Sequence, residues 1–470
     1  PTIVATLTVI AALLPMLFVS GLMGPYMAPI PANASAAMIF SFFVAMAIAP
    51  WLMLKLAPRE SAGTGHASHH DGGALGRLYR RVASPVLASR RSAWIFLLAV
   101  GAATILSLGL FATASVTVKL LPFDNKSELQ VVVDLPEGAS LEDTERVLFA
   151  AAERTQSLPE IVSIQAYAGT ASPFNFNGLV RHSYLRSRPE QGDLQVNLLP
   201  KSDRDRESHA VALDLRERLK GLPAPEGTAI KVVEVPPGPP VLATLLAEIY
   251  GPDAETRRAV AAETRQLFES VPYVVDIDDS FGTPRPRLRI AIDQDQIEFL
   301  GVRQSDVYST VRALLDGVPV GYSHRGEGRD PIEIAIRLPR SGLSWNEAMA
   351  ATPVPADTIP GTRGVVELGD VVTVSVEDGS YPIFRRDGRF AEMVTAELAG
   401  AFEAPIYGMM DVADAVHAHD WGSLPKPEIL IYGQPDDETK ASLLWDGEWE
   451  ITYVTFRDMG AAFMVAILGI

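Results

Sequence analysis

The sequence contains no cysteine among its 470 residues. That absence excludes disulfide scaffolds, thiol catalysis and Cys-based zinc sites, and by itself assigns no compartment. Charge is also missing from the opening stretch: from Pro1 to Leu54 no side chain carries a formal charge, Lys55 being the first. No water-soluble domain begins that way. There is no Gly-Lys dipeptide and hence no Walker loop, and neither His-Glu-x-x-His nor Gly-x-Ser-x-Gly occurs. An enzyme is therefore not expected, and no cofactor is implied. Excess basic charge is lacking too. The formal net charge is -17, and residues 116–456 hold 32 basic against 54 acidic side chains, a net -22. A nucleic-acid binder needs the opposite sign.

What is present is long apolar sequence. A bilayer crossing takes about 20 mostly apolar residues, and three stretches qualify: Thr2 to Met23, Ala34 to Leu54 and Ser92 to Ser115. Between the first two, GPYMAPIPAN places Gly24, Pro25, Pro29 and Pro31 together, which predicts a break and a tight helical hairpin. A fourth run after Asp458, MGAAFMVAILGI, is too short to cross. Since the chain also starts without Met inside an apolar run, both ends read as cuts through membrane helices, as in an internal fragment.

All seven basic residues of the first 115 lie between Lys55 and Arg91. Basic loops face the cytoplasm, which puts the large acidic region 116–456 on the opposite side. Within that loop Leu75, Leu78, Val82 and Val86 recur at helical spacing, with Arg77, Arg80 and Arg81 available to lipid phosphates. The pattern suits an interfacial amphipathic helix, interrupted by Pro85. The His66 to His70 stretch sits in a Gly-rich connector and reads as a flexible linker, and HAHD at His417 to Asp420 reads as solvated. No metal site is expected at either.

The acidic region repeats one grammar: an alternating β run, a polar turn, an amphipathic helix and, in most copies, a further β run. In the clearest copy Ser140 and Asp143 suit a helix cap, and Leu141, Val147, Leu148, Ala151 and Ala152 make a buried face. Leu-Gln-Val at Leu129 recurs at Leu194, so the first two copies form a βαβ-βαβ, ferredoxin-like unit. VPPGPPVL then leads into a second unit, with residues 317–382 read as an inserted β-rich lobe and FAEMVTAELAG as the return strand. The fold class is an α+β membrane protein. Its expected divisions are 1–54, two membrane helices; 55–91, a cytoplasmic loop; 92–115, a third helix; 116–240, a first βαβ subdomain; 241–316 and 383–440, a second, interrupted by 317–382; and 441–470, an interfacial segment opening a truncated helix.

The N-terminal run ending in PWLML, EVPPGPPVL, and WDGEWEITYVTFRDMG resemble motifs of the resistance-nodulation-division efflux permeases, on their hydrophobe/amphiphile side, in the family's order along essentially the whole chain. The resemblance implies a multi-pass transporter of the bacterial inner membrane that exports drugs or amphiphiles by proton antiport. It implies a homotrimer working with a periplasmic adaptor and an outer-membrane channel, porter subdomains in the periplasm and a docking lobe inserted in the second. It also implies that the proton relay sits in helices outside this chain, which agrees with spans that lack ionisable groups. Two rivals remain. One is a heavy-metal exporter of the same superfamily, although Met349, Met393, Met409 and Met410 are the only soft ligands between 116 and 456. The other is a protein-translocation or lipid-handling relative.

For substrate, YAGTASPFNFNGLVRHSYL draws attention. Gly169 and Gly178 are candidate hinges bracketing Phe174 and Phe176, whose i, i+2 spacing predicts rings on one side of an extended segment and Asn175 and Asn177 on the other. Tyr167, Phe174 and Phe176 are the expected pocket lining, with Asn175 and Asn177 as polar contacts. Anchoring of the loop to the core is the alternative. The place resembles the family's switch loop. Arg181 and His182 read as a solvated strand edge. Trp445, Trp449 and Tyr453, at i, i+4 and i+8, read as one helical stripe at the membrane interface.

Overall fold

The computed structural model describes residues 2–56, 73–113, 115–120, 124–235, 238–325, 330–339, 343–359, 362–400 and 402–469. His66 to His70 lie outside the described residues, as do Pro236 and Pro237 of the linker. The chain divides into two compact units, one of Pro1–Gly282 with Pro382–Ile470, the other Thr283–Tyr381.

In the first unit, α1 (Thr2–Leu13) tightens into a 3-10 turn, Leu14–Phe18, and stops at Val19, which is extended. The next helix is continuous from Gly21 to Leu56, built end to end from α2 (Gly24–Met27), α3 (Pro29–Phe43), a π turn and α4 (Ala49–Leu56). The break therefore falls at Val19 and Ser20, and the prolines expected to cause it lie inside the helix. Pro25 occupies the first turn of α2, where the chain passes from the 3-10 turn Gly21–Met23 into α-helix and a missing N–H is tolerated. What the break exposes is the Ser20 amide, and the Asp458 carboxylate accepts from it at 3.0 Å and from the Ser20 hydroxyl as well. α5 (Gly73–Leu87) follows, with Pro85 inside it, and then α6 (Arg90–Ala112), capped reciprocally by Ser89 and Ser92. The side chains of Leu75, Arg77, Leu78, Arg80 and Val82 lie outside the described residues.

The first βαβ module comprises β1 (Glu128–Asp134), α7 (Leu141–Gln156), β2 (Ile161–Ala168), the short α8 (Phe176–Arg181), β3 (Gln191–Leu198), α9 (Ser208–Leu219) and β4 (Ala229–Val233). Its strand order is β2-β3-β1-β4 with antiparallel neighbours, so β3 is inserted between the parallel β1 and β2. The two Leu-Gln-Val copies pair with each other: Leu129 faces Val196, Gln130 faces Gln195 and Val131 faces Leu194. Ser140 caps α7 by accepting from the Asp143 amide at 3.1 Å. Val147, Leu148 and Ala151 are buried against the sheet, whereas Leu141, expected among them, lies at the surface.

The second module opens with β5 (Leu245–Tyr250), α10 (Ala254–Glu269) and β6 (Val274–Asp279). The chain then enters the separate unit: β7 (Pro286–Ile292), α11 (Gln294–Phe299), α12 (Gln304–Leu315), β8 (Val318–Ser323), β9 (Ile332–Ile336), α13 (Glu347–Ala350), β10 (Pro353–Ile359), β11 (Thr362–Glu367), α14 (Leu368–Val371) and β12 (Val372–Asp378). This unit starts at Thr283 and not at 317. The reason is pairing: β7 joins β12 along its whole length, from Pro286 opposite Asp378 to Ile292 opposite Val372. RLRIAI and the two helices after it thus belong to the insert.

Back in the first unit, a hairpin of β13 (Arg385–Arg386) and β14 (Arg389–Phe390) precedes β15 (Glu392–Leu398), α15 (Pro405–Ala418), β16 (Glu428–Leu430) and β17 (Ser442–Gly447). The sheet order β16-β17-β5-β15-β6 reproduces the first module's order with one added edge strand. In both modules the irregular material sits in the same slot, between the second and third strands. α16 (Glu448–Gly469) follows β17 directly. At 22 residues it is long enough to cross a bilayer, because the final apolar run continues the helix begun in WEITYVTFRD rather than starting one. By length and composition three described helices can cross: Gly21–Leu56, Arg90–Phe111 and Glu448–Leu468.

Candidate functional site

The two modules meet along a seam made of charge. Burying charge is tolerated only with close partners, and here the partners come from opposite modules. Arg216 on α9 reaches Asp276 on β6 at 3.0 Å and Glu234 at 3.8 Å. Lys231 on β4 joins Asp278 on β6 and lies 3.3 Å from Asp134. Burial works against its ammonium charge, but Asp278 and Asp134 outweigh it and hold Lys231 above its ordinary value. His209 bridges Glu234 at 2.9 Å through Nδ1 and Glu403 at 2.9 Å through Nε2.

Burial opposes a charged His209 imidazole, yet hydrogen bonds to Glu234 and Glu403 push its pKa up to about 9. A group raised from 6.5 to about 9 contributes stability fully below 6.5, and that contribution is lost as pH rises through about 9. Thermal unfolding followed from below 6.5 to above 9 is expected to fall across this window, and His209→Leu is expected to flatten it. An identical slope in the variant would remove His209 from the seam's energetics.

Over this seam runs the β2–β3 connection. Gly169 takes φ +64°, the left-handed region expected of a hinge glycine. Gly178 does not; it lies within α8, where an added Cβ would meet Ser183 Oγ at 3.1 Å. The extended Phe174–Asn177 segment is likewise replaced by a helix start. Asn175 caps α8, accepting from the Gly178 amide at 2.6 Å while its Nδ2 donates to Gln195 at 3.0 Å. A helix turn of about 100° per residue, unlike the strand's 180°, removes the predicted alternation. Asn177 is buried, and its Oδ1 has no hydrogen-bond partner among the described residues.

The rings lie differently. Phe174 is 71% exposed, 6.1 Å from the Tyr184 ring, and Phe176, Leu179 and Leu185 are also exposed. Tyr167, on β2, is half-buried and donates to Gln165 at 3.0 Å. Arg186 ties the connection to the first module through Asp134 at 2.8 Å and Asp193 at 3.1 Å. Arg181 ties it to the second module: far from a solvated strand edge, it closes α8 and pairs with Glu397 of β15 at 2.7 Å. The sequence held no local signal for that contact. Between the modules the connection encloses a cleft of about 240 Å³.

The family model for AcrB/AcrD/AcrF proteins matches residues 1–411. The chain belongs to the AcrB/AcrD/AcrF family. This makes it a resistance-nodulation-division permease sequence, in a family of efflux transporters and not enzymes. Relatives include an uncharacterized transporter of Haemophilus influenzae, 21% identical over 68% of this chain and 29% of that protein. The nickel-cobalt-cadmium resistance protein NccA of Alcaligenes xylosoxydans is 24% identical, over 52% of this chain and 22% of its own length. The multidrug resistance protein MdtC of Pantoea ananatis is 24% identical over 64% and 28%. A crystal structure of a heavy metal efflux pump shares the fold, with a TM-score of 0.70 at 19% identity, covering 98% of this chain and 42% of that one. The chain thus spans less than a third of these curated relatives' length.

The aromatic stripe expected in this AcrB/AcrD/AcrF-family chain divides between two elements. Trp445 is on β17, paired opposite Ala247, 1% exposed and stacked on Phe268 at 5.9 Å. It is a core residue, because SLLWDG completes the second module's sheet instead of extending the helix. Trp449 and Tyr453 lie on α16, 6.0 Å apart, but Trp449 is buried in the same core as Trp445, its indole donating to the Ile431 carbonyl at 2.7 Å, and only Tyr453 stays partly exposed. His419 of the HAHD stretch faces Glu263 at 3.4 Å. Adjacent on α15, Met409 is buried and Met410 exposed, so the two thioethers diverge.

Proposed function

We propose that this chain is a cargo-handling portion of a proton-driven permease that exports amphiphilic organic compounds across the bacterial inner membrane. In this reading the two βαβ modules are periplasmic porter subdomains, the Thr283–Tyr381 unit is the lobe that docks, and the protein works as a homotrimer with a periplasmic adaptor and an outer-membrane channel. The observation that carries it is the β2–β3 connection. It presents Phe174, Tyr184 and Leu185 to solvent beside a cleft walled by paired charges, the combination that suits a molecule with an apolar body and a polar end. Tyr453, partly exposed on α16, is proposed to lie at the lipid boundary, where amphipathic rings are favoured.

A metal cargo is the second reading, favoured by the names of NccA and of the solved pump. Soft cations call for converging thioethers, and Met393 is the one methionine in the cleft wall. The test is export from the intact gene in an efflux-deficient host, with inhibitory concentrations measured for dyes, detergents and copper, silver and nickel salts. Resistance to dyes and detergents is expected. Phe174→Ala is expected to lower dye resistance several-fold at unchanged membrane level, since an exposed ring adds little to folding. Resistance to metals alone would overturn the proposal.

A further inference from the structure

Two clefts in the first unit share a wall. The larger, the cleft of about 240 Å³, is lined by His182, Arg186, Lys231 and Met393 among others. The smaller, of about 50 Å³, lies where the stretch before residue 120 meets the start of α16, with Lys119, Leu120, Glu448 and Ile451 in its wall. Arg181 and Glu397 line both. Their ion pair, 2.7 Å long, stands between the two spaces. A drug-sized ligand needs roughly 300 Å³ or more, so with this pair closed neither space alone holds such cargo, and parting the pair would join the two.

We propose that Arg181 and Glu397 form a charge-selective gate in the cargo path, with Glu397 selecting organic cations. The inference rests on the export reading above and deepens it. The two halves of the gate are not equivalent. Glu397 belongs to β15, held between β5 and β6, and Thr244 Oγ1 donates to its other oxygen at 2.5 Å. Arg181 ends a six-residue helix. The next residue, His182, takes φ 57°, and besides Glu397 the guanidinium donates to the Leu242 carbonyl at 3.1 Å. Sheet residues are fixed by their ladders, whereas a short helix in a connection can shift, so Arg181 is the half that moves.

When Arg181 withdraws, the Glu397 carboxylate stays in the passage. Burial favours its neutral form, but Arg181 and Thr244, and after them Arg216, hold its pKa below the ordinary carboxylate range. With Arg181 gone, burial favours the neutral acid, and a cation entering beside Thr244 and Arg216 takes over the role of keeping Glu397 charged. A desolvated carboxylate that has lost its counter-ion favours a replacement cation. The other cations on both sides of the gate already have carboxylates: Arg186 has Asp134 and Asp193, Lys231 has Asp134 and Asp278, Arg216 has Asp276, and Lys119 faces Glu448 before Glu397. Leu120 and Ile451 offer an apolar lining for the body of a lipophilic cation, and Glu397 takes its charge.

The test uses the intact gene in an efflux-deficient host, with tetraphenylphosphonium as the cationic probe and cholate as the anionic one. Glu397→Gln is expected to lower tetraphenylphosphonium export roughly tenfold, the scale of one lost charge-assisted contact, and to leave cholate export nearly unchanged. Arg181→Ala, which frees the gate and keeps the carboxylate, is expected to retain cation export. Equal loss of both probes in Glu397→Gln, or no loss of either, overturns the gate. Should that variant fail to reach the membrane, the exchange of Arg181→Glu with Glu397→Arg decides. Preference should then turn toward cholate, and an unaltered preference for the cation overturns the proposal. If the wild type exports neither probe, the export reading has failed and not the gate alone.

Discussion

Trp445→Ala is expected to cost about 3–5 kcal/mol of stability, the range for deleting a large buried aromatic. The indole is 1% exposed, stacks on Phe268 at an interplanar angle of 26°, and belongs to the core that Leu245, Ile249, Val394 and Leu443 build on one face of the second sheet. Truncation leaves a cavity that strands on both sides of β17 cannot close. Lower folded yield and a lower unfolding midpoint in detergent are the readouts, with Trp445→Phe closer to wild type because it keeps the stack. A variant that unfolds like the wild type yet loses export would instead return Trp445 to a membrane or cargo role.

The second large effect concerns the seam. Arg216→Met removes the partner of Asp276, whose carboxylate is almost wholly inaccessible and already raised in pKa by burial despite the guanidinium beside it. An uncompensated buried charge costs about 3–5 kcal/mol. Pairing the change with Asp276→Asn should restore part of the loss, because the stranded carboxylate is then gone. Unfolding midpoints for the four proteins of this cycle measure the coupling. Strictly additive effects would mean that the 3.0 Å contact does not bind the modules together.

How far the sequence revealed this depends on how local each cause is. The paired βαβ modules were legible because Leu129–Val133 and Leu194–Leu198 carry their own alternation and α7 its own apolar stripe. The helix break at Val19 and Ser20 was not, since its stabilising partner, Asp458, lies 438 residues from Ser20. Prolines drew the prediction to the wrong place. Trp445 was misread for a related reason. Its spacing from Trp449 and Tyr453 fits a helix as well as anything, and only the partner strand β5 decides otherwise. Gly447 did offer a signal: an Asp-Gly step before Glu448 marks the junction where the strand ends, and the residue takes φ +73°. The start of the insert was hidden because β7, at its beginning, finds its partner in β12, at its far end. For the proposed site, the glycines and rings marked the β2–β3 connection, but its helix, α8, was not visible in them. Arg181 acquires its role only from Glu397, on another module, and no local pattern could show it.

The junction at Gly447 has a mechanical consequence. β17 becomes α16 with no intervening residue, and the Gly447 site is so tight that a Cβ would come within 2.6 Å of the Ala243 carbonyl oxygen. Two residues later the Trp449 indole is fastened back to Ile431. A connection without slack transmits torque. Rotation of the second sheet must tilt α16 as a lever arm, and force applied to α16 must reach the sheet undamped. Lengthening this junction by a few glycines would disconnect a drive shaft while leaving both of its ends intact.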